Sequence, residues 1–300
     1  MNTAPAAAPH LAAEARSLAE RIGRLRTEAA ALARTVALGL HGRRQKGAGE
    51  DFWQYRPALA GDDAAAIDWR RSARDDALYL REREWQAAQE IRLAVEEGAA
   101  MLYASRRELP LKAERARVLA LALGELLIDG GEKVGLLTPP LPPQAGRTAA
   151  ARLAHALLGA LAATPAEDHR PIPLGAAHAA RDGHLVLIAD FLMPRDAFDH
   201  LLERLATGTA RLTLLQILDP AEERFPYRGR TEFVSVSGRK RQELAEPAAL
   251  GADYRRLLEE RRERLRLLAR RRGWRFAVHR TDRSATEALA WLVRALEPVR

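Results

Sequence analysis

The sequence contains no cysteine, which excludes disulfide bonds, thiol nucleophiles and cysteine-ligated zinc. It also lacks a long apolar run. The longest, Leu119–Ile128, includes Glu125 and falls well short of the roughly 20 residues that a bilayer span requires. Met1–His10 is rich in Ala and Pro and does not show the charged-then-apolar pattern of a signal peptide. We therefore expect a disordered N-terminal tail, no membrane span and a cytoplasmic location.

Motifs of the common catalytic classes are also missing. The eight histidines include no His-Glu-x-x-His pair, and no Gly-x-Ser-x-Gly turn presents a nucleophile. Residues 42–47 approach a phosphate loop but lack its Gly-Lys-Ser/Thr ending and a preceding apolar strand. The acidic pair Glu222-Glu223 is typical of a solvated surface. These absences predict a protein that is not an enzyme and has no cofactor and no small-molecule substrate.

Positive charge exceeds negative charge in this chain. The 48 Lys and Arg residues against 40 Asp and Glu give a net charge of +8 and a pI near 10.3, a balance that keeps nucleic acid as a partner class. Only four of the basic residues are lysines, so 48 − 4 = 44 are arginines, and these are interleaved with Glu and Asp. The bias towards Arg and Ala is typical of a GC-rich genome, which accounts for many arginines without a nucleic-acid partner. Nucleic-acid binding is therefore the alternative function and not the leading one. The lysines are Lys46, Lys112, Lys133 and Lys240.

From residue 89 onward, short apolar segments alternate with helical periodicity, which predicts an α/β fold with a doubly wound, mostly parallel sheet. The segment 184–190 is almost continuously apolar, as in a strand that is buried on both faces. Ligands of such sheets bind at the carboxyl ends of strands, which here are followed by Glu96 and Asp190. The predicted strands are 91–95, 133–138, 184–190, 211–218, 232–237 and 274–279, and the predicted helices are 111–128, 147–163, 194–206, 250–272 and 284–296. A Pro-rich loop is expected over 138–146.

Two further regions precede this domain, so we predict a division into 1–40, 41–88 and 89–300. Residues 11–40 form an amphipathic helix whose apolar face includes Leu25, Ala29 and Leu32. This helix either packs on its own domain or binds a partner. Residues 41–88 combine glycine, charge and aromatic residues with little periodicity, and we expect short strands near 51–56 and 78–84.

Two sets of motifs resemble a known family. The first is Gly61-Asp62-Asp63, Ile67-Asp68-Trp69, Ser72-Ala73-Arg74 and Arg81-Glu82, and the second is residues 187–192, 217–222 and 226–229. Together they resemble the bacterial proteins called domain of unknown function 58, from about residue 40 to the C-terminus. The resemblance implies a vWA-like domain preceded by a signature region. It also implies a working association with MoxR-type AAA+ ATPases, whose genes often lie beside those of the family.

The resemblance places a degenerate metal-ion-dependent adhesion site (MIDAS) in this chain. A vWA domain holds Mg²⁺ through an Asp-x-Ser-x-Ser loop, a Thr and a second Asp, because Mg²⁺ demands oxygen ligands in octahedral geometry. Here Glu96 stands in place of the first Asp, and Gly98 and Ala100 in place of the serines. Thr148 is the candidate for the Thr, and Asp190 remains. We predict no Mg²⁺ binding at micromolar affinity, with Asp190 either capping the following loop or retaining weak metal binding.

The signature region has two interpretations. Its charged residues either form a buried ion-pair network that pins residues 41–88 to the vWA-like core, with Trp69 as an apolar anchor, or present a partner-docking surface or small-ligand site. The Arg-rich helix 250–272 is either a solvated cover of the sheet or a contact for an acidic partner or nucleic acid. The leading hypothesis is a non-enzymatic adaptor that works with a MoxR-type ATPase in a chaperone-like or assembly role. The charged residues of the signature region are Asp62, Asp63, Asp68, Arg74 and Arg81.

Overall fold

The computed structural model describes residues 8–41, 52–58, 67–73, 78–83, 88–159, 167–174, 183–208 and 210–297. The chain forms two compact units. The smaller unit spans residues 44–88, and the larger unit combines the residues before 44 with residues 89–300. Residues 1–7, predicted to form most of a disordered tail, lie outside the described ranges, and the first helix begins earlier than expected, at Ala8.

The smaller unit contains an antiparallel pair of strands, β1 (Phe52–Pro57) and β2 (Tyr79–Arg83). Both strands were expected near these positions. A single helical turn, α2 (Trp69–Ser72), connects to them through Ser72, whose hydroxyl donates to the carbonyl oxygen of Asp68 and accepts from the amide of Tyr79, each at 2.9 Å.

The larger unit is built on a six-stranded sheet in which all neighbours are parallel except the last pair. Its order is β10-β7-β6-β3-β4-β5, so the chain starts in the middle of the sheet and winds outward in both directions. The predicted α/β fold class, with a doubly wound and mostly parallel sheet, is confirmed. The strands are β3 (Glu90–Val95), β4 (Lys133–Leu136), β5 (Leu141–Gln144), β6 (His184–Ala189), β7 (Arg211–Leu218) and β10 (Arg275–Arg280), and a separate hairpin consists of β8 (Thr231–Val234) and β9 (Arg241–Leu244).

Helices cover both faces of the sheet, because its central strands are apolar on both sides. In β6, Val186 and Ile188 contribute to one core, whereas Leu185 and Leu187 contribute to the other. The first core also receives α1, α3, α4 and α8, and the second receives α5 and α7. The helices are α1 (Ala8–His41), α3 (Lys112–Asp129), α4 (Arg147–Gly159), α5 (Arg195–Thr207), the short α6 (Pro220–Arg224), α7 (Gly251–Arg272) and α8 (Ala285–Leu296).

Helix α1 forms an outer layer over α3, α4 and α8. Its buried residues include Leu25, Ala29 and Leu32, which lie on the predicted apolar face. Helix α3 is therefore enclosed between the sheet and α1, which explains why it is apolar around most of its circumference. Of the two interpretations of residues 11–40, the structure supports packing on the chain's own domain. Within the described ranges, no helix combines the length and apolarity of a bilayer span.

One predicted element is wrong in a way that affects the site. Residues 138–146 do not form a plain loop, because Leu141–Gln144 pair with β4 as the antiparallel edge strand β5. Proline is tolerated there, since an edge strand has a side without ladder hydrogen bonds. The register joins Leu136 to Leu141 and Val134 to Gln144, so β5 returns the chain to the amino end of the sheet.

Candidate functional site

The candidate site lies at the carboxyl ends of β3 and β6, where the winding direction of the sheet changes. Glu96 directly follows β3 and Asp190 directly follows β6, as predicted. This is the position at which open α/β sheets bind ligands, because the loops leaving the two strands diverge there. Both carboxylates are buried, with 1% and 0% of the residue surface exposed.

The two acidic residues are linked directly to each other and to a histidine. Glu96 Oε2 accepts from the backbone amide of Asp190 at 3.1 Å, and Glu96 Oε1 lies 3.1 Å from His169 Nδ1. Burial, and then the charge of Asp190, raise the pKa of Glu96 to about 7. Burial lowers the pKa of His169, but Glu96 and Asp190 outweigh it, so the net shift is upward.

A lysine that the sequence analysis did not single out lies at the centre of the site. Lys112 is the first residue of α3, and its Nζ donates to Asp190 Oδ2 at 2.8 Å and to Glu222 Oε1 at 2.5 Å. The side chains of Lys112 and Asp190 are both 0% exposed. Burial alone lowers the pKa of Lys112, but the two carboxylates raise it above its ordinary value. Burial opposes ionisation of Asp190, yet Lys112 outweighs it and the pKa of Asp190 is lowered.

Glu222 is held in position by the first turn of α6. Asp219 caps this helix by accepting from the amide of Ala221 at 2.7 Å, and Glu222 Oε2 accepts from the amide of Asp219 at 2.9 Å. The other Asp219 oxygen accepts from the amide of Ser105 at 2.9 Å. The prediction that Glu222-Glu223 is a solvated pair is wrong, because Glu222 binds Lys112 and Glu223 forms salt bridges with two arginines. These are Arg262 and Arg280.

The absence of a side chain at Gly98 reflects packing as well as loss of a ligand. A Cβ on Gly98 would lie 2.1 Å from the carbonyl oxygen of Asp168. The segment 167–169 fills this space and accepts hydrogen bonds from the amides of Ala99 and Ala100, at 2.8 and 3.0 Å. It thereby brings His169 to Glu96. A backbone segment occupies the place that a serine side chain at position 98 needs.

Thr148 does not belong to this site, which corrects its predicted alignment. It follows β5 and is exposed in the first turn of α4. Because β5 runs antiparallel to β4, its end at Gln144 lies beside Val134, near the start of β4. Thr148 is thus at the amino end of the sheet, opposite to Glu96 and Asp190.

The side chain of Asp190 acts as a cap, one of the two roles predicted for it. Its Oδ1 accepts from the amide of Leu192 at 2.7 Å. The intervening Phe191 adopts φ 56°, a left-handed conformation that costs a non-glycine residue on the order of 1 kcal/mol. The turn is stabilised from α7, because Arg261 donates to the carbonyl oxygens of Phe191 and Met193 at 3.1 and 2.6 Å.

The residues present do not fit the divalent cation of a vWA domain. Glu96, His169 and Asp190 each offer a ligand atom, and these atoms lie within 4.8 Å of one another. However, Asp190 Oδ2 already binds the Lys112 ammonium, and no hydroxyl is available at positions 98 and 100. A metal ion bound to Asp190 Oδ2 at a ligand distance of about 2.1 Å would lie within about 5 Å of that ammonium. The site therefore carries its positive charge on a side chain.

A cleft opens beside this network and is lined by aromatic residues. Its volume is about 500 Å³, and Tyr103, His169 and Glu222 are among its walls. Tyr103 and Tyr227 connect through their hydroxyls at 3.0 Å. A second cavity of about 370 Å³ shares five lining residues with this aromatic cleft, including His169 and Lys240. The aromatic rings of the cleft, apart from Tyr103, are Phe225, Tyr227, Phe233 and Tyr254.

The signature residues can be followed only in part. Asp62, Asp63 and Arg74 lie outside the described residues, and Arg81 is described only as part of β2, without its side chain. The predicted ion-pair network and the docking surface both stay predictions. Trp69 is 62% exposed, and its role as an apolar anchor also stays a prediction. The amide of Asp68 donates to the carbonyl oxygen of Tyr79 at 2.9 Å.

Sequence reasoning missed Lys112, His169 and Glu222, which complete the site. A usable signal existed for Lys112, since it is one of only four lysines in a chain with 44 arginines (48 − 4) and begins a helix that is otherwise largely apolar. His169 lies in a stretch without periodicity, so no pattern connected it with Glu96. Glu222 had a local signal, because Asp219-Pro220 followed by Glu222 is typical of a capped helix start.

The chain is similar to two solved structures at low sequence identity and matches one family model. An aerotolerance-related membrane protein from Bacteroides fragilis, crystallised with multiple mutations to serine, is 14% identical with a TM-score of 0.41. The conserved hypothetical protein BatB from Bacteroides thetaiotaomicron is 13% identical with a TM-score of 0.37. Each match covers 69% of this chain and 98% of the other. No curated protein matches the sequence. A family model matches residues 54–264, and the chain belongs to that family, which is described as Protein of unknown function DUF58.

Proposed function

We propose that this chain is a non-enzymatic interaction protein that binds a MoxR-type AAA+ ATPase in a chaperone-like or assembly role. The aromatic cleft at the carboxyl edge of the sheet is the observation that carries the proposal. Aromatic side chains bury a large area with few rotatable bonds, so they dominate the binding energy of protein interfaces. A partner segment that enters this cleft would contact the same edge at which related folds hold their ligands.

The walls of the cleft are prearranged for such a contact. The ring of Phe225 packs against Tyr227, Phe233 and Tyr254 with centroid distances of 5.1, 5.9 and 4.9 Å. Rings that already support one another lose little conformational entropy on binding. At the rim, Val234 and Val236 are 45% and 44% exposed, so burying them under a partner gains hydrophobic free energy.

The charge around the adjoining cavity favours a partner segment that carries carboxylates. Arg170, Arg239 and Lys240 line this cavity beside the apolar residues Ile172 and Leu201. Basic groups at the rim of an interface mainly steer an acidic partner and fix its orientation. We therefore propose that the segment of the ATPase which binds here combines apolar side chains with Asp or Glu.

The acidic groups with shifted pKa values are buried, which supports a role without catalysis. A general base must reach the proton that it abstracts, yet Glu96 and Asp190 are 1% and 0% exposed. Each of their four carboxylate oxygens also has a hydrogen-bonding partner within the chain. These groups serve to hold the loops of the site together. Because an AAA+ partner needs ATP, we propose that the complex forms in the cytoplasm.

The test is direct binding between this chain and a MoxR-type ATPase from the same genome, in the presence of ADP or a non-hydrolysable ATP analogue. We expect Val234→Asp and Val236→Asp to weaken binding about tenfold or more, because each places a charge in an apolar contact. Leu267→Asp is the control, since Leu267 is 42% exposed and does not line the cleft. Absence of binding by the wild type in both nucleotide states would contradict the proposal that a MoxR-type ATPase is the partner. Equal binding by all variants would contradict the proposal that the aromatic cleft is the binding surface.

A further inference from the structure

We propose that the Lys112 ammonium is the resident cation of this site and takes the place of a divalent metal ion. Three features of Lys112 support this role: the position of its ammonium, the groups that surround it and the kind of residue that supplies it. This role does not depend on the identity of any partner protein, so failure of the proposed ATPase interaction would not contradict it.

Lys112 connects segments that are far apart in the sequence. Its ammonium bridges Asp190, after β6, and Glu222, in α6, with distances of 2.8 and 2.5 Å. Asp190 is joined in turn to Glu96, after β3, through its backbone amide. A bound metal ion has the same organising effect on loops, because several anionic ligands converge on one positive charge. Here one side chain from the start of α3 achieves that convergence.

The ammonium also leaves little electrostatic room for another cation. Lys112 is 0% exposed, so water screens its charge poorly. Any metal ion bound to Glu96, His169 and Asp190 would share the Asp190 carboxylate with Lys112. At a separation of about 5 Å, a divalent ion and an ammonium repel each other enough to weaken binding more than tenfold, even with the dielectric constant of water.

The identity of the residue supports the same role. Lysine is rare in this chain, where 4 of 48 basic residues are lysines, yet the fully buried cation of the site is a lysine. An ammonium is a compact point charge with three rotatable donors, whereas a guanidinium is a planar fork that needs more space. The compact ammonium reaches both carboxylates from a fully buried position.

Replacing Lys112 with alanine tests the idea by removing the built-in cation. The variant leaves Glu96, His169 and Asp190, whose ligand atoms lie within 4.8 Å of one another, and frees the Glu222 carboxylate from its ammonium partner. Carboxylate oxygens with one imidazole form a set that suits Mn²⁺. We expect Lys112→Ala to melt at a lower temperature than wild type, to be restabilised by Mn²⁺, and to bind Mn²⁺ at least tenfold more tightly in electron paramagnetic resonance titrations. Lys240→Ala, an exposed lysine of the aromatic cleft, is the control and should bind like wild type. Micromolar Mn²⁺ binding by wild type, or equally weak binding by a folded Lys112→Ala, would overturn the proposal.

A measurement on the wild type keeps the proposal testable if Lys112→Ala does not fold. In the ¹⁵N-labelled protein, the ammonium protons of exposed lysines exchange rapidly with water, whereas those of a buried, doubly bonded ammonium are protected. We expect one protected lysine ammonium signal in nuclear magnetic resonance spectra. It should persist in a protein with Lys46→Arg, Lys133→Arg and Lys240→Arg, and be unchanged by millimolar Mg²⁺. Its absence, or its loss on adding Mg²⁺, would show that Lys112 is not the cation.

Discussion

At the scale of single residues, position 98 shows how a small side chain decides the shape of the site. In the sequence, Gly98 stands where a vWA metal site has a serine ligand. The structure assigns it a steric role, because the carbonyl oxygen of Asp168 lies where its Cβ would be. The chain segment that brings His169 to Glu96 depends on that close approach.

We predict that Gly98→Ala destabilises the protein by about 2 kcal/mol or more, because the added methyl group meets backbone that cannot rotate away. Gly23→Ala is the control. Gly23 lies inside α1 with no atom within 4 Å of the added Cβ, so helix propensity should stabilise this variant by up to about 1 kcal/mol. Urea denaturation measures both effects. An unchanged stability of Gly98→Ala would show that segment 167–169 is not packed against the loop.

Residue-level prediction succeeded where a role is local and failed where it depends on distant chain segments. Glu96 and Asp190 could be predicted because each directly follows an apolar strand. Lys112 is 78 residues away from Asp190, and His169 is 73 away from Glu96. No periodicity in one sequence reports on such pairs. Thr148 was placed at the wrong edge because the strand that reverses the chain, β5, contains two prolines and does not have the pattern of a buried strand.

At the scale of elements, α1 is as much a part of the fold as the helices that touch the sheet. Its apolar spacing predicted the buried face correctly, since burial of a helix follows from the 3.6-residue period. What covers that face could not be predicted from the period alone. The contact with α3 also includes a salt bridge of 2.7 Å between Arg21 and Glu114.

A charge placed on the buried face of α1 should therefore be costly. We predict that Ala29→Asp destabilises the protein by about 3 kcal/mol or more, because Ala29 is 0% exposed and an unpaired carboxylate there cannot be hydrated. Ala31→Asp, two residues away on the exposed face, should cost less than about 1 kcal/mol, which is mainly the lower helix propensity of Asp. Equal unfolding midpoints for the two variants in denaturant would argue against the packing of α1.

At the scale of the whole molecule, five of the nine arginines of α7 form salt bridges with carboxylates. These contacts fit the solvated-cover interpretation of this helix. Salt bridges of this kind on the surface add little stability, but they reduce the positive field available to a nucleic acid. Nucleic-acid binding stays a prediction. The pairs are Arg256–Glu260, Arg262–Glu223, Arg264–Asp199, Arg266–Glu259 and Arg270–Glu263.

The pH dependence of global stability should reflect a buried histidine in the sheet. Burial, and then the charge of Arg211, lower the pKa of His184 from 6.5 to about 4. Because the folded state favours the neutral ring, this contribution is complete above pH 6.5 and is lost as the pH falls towards 4. At pH 5 the loss amounts to about 2 kcal/mol.

We expect His184→Gln to remove that part of the decline in the free energy of unfolding between pH 7 and pH 5. In the wild type, the His184 ring lies within hydrogen-bond distance of the Thr213 hydroxyl, at 2.8 Å. The glutamine amide has a similar reach, so Thr213 keeps a polar partner in the variant. His155→Gln, an exposed replacement on α4, should leave the profile of the wild type unchanged. Parallel profiles for wild type and His184→Gln would contradict the assignment.

The contact between α1 and α8 also has a consequence for how the protein is made. Residues 8–41 are synthesised well before residues 285–296, yet the two helices pack on each other. The contacts of α1 with α3 and α4 can form early in translation, whereas the part of its apolar face that meets α8 stays uncovered until that helix has been made. Cotranslational folding can therefore begin the outer layer early but can close it only after α8 has been made.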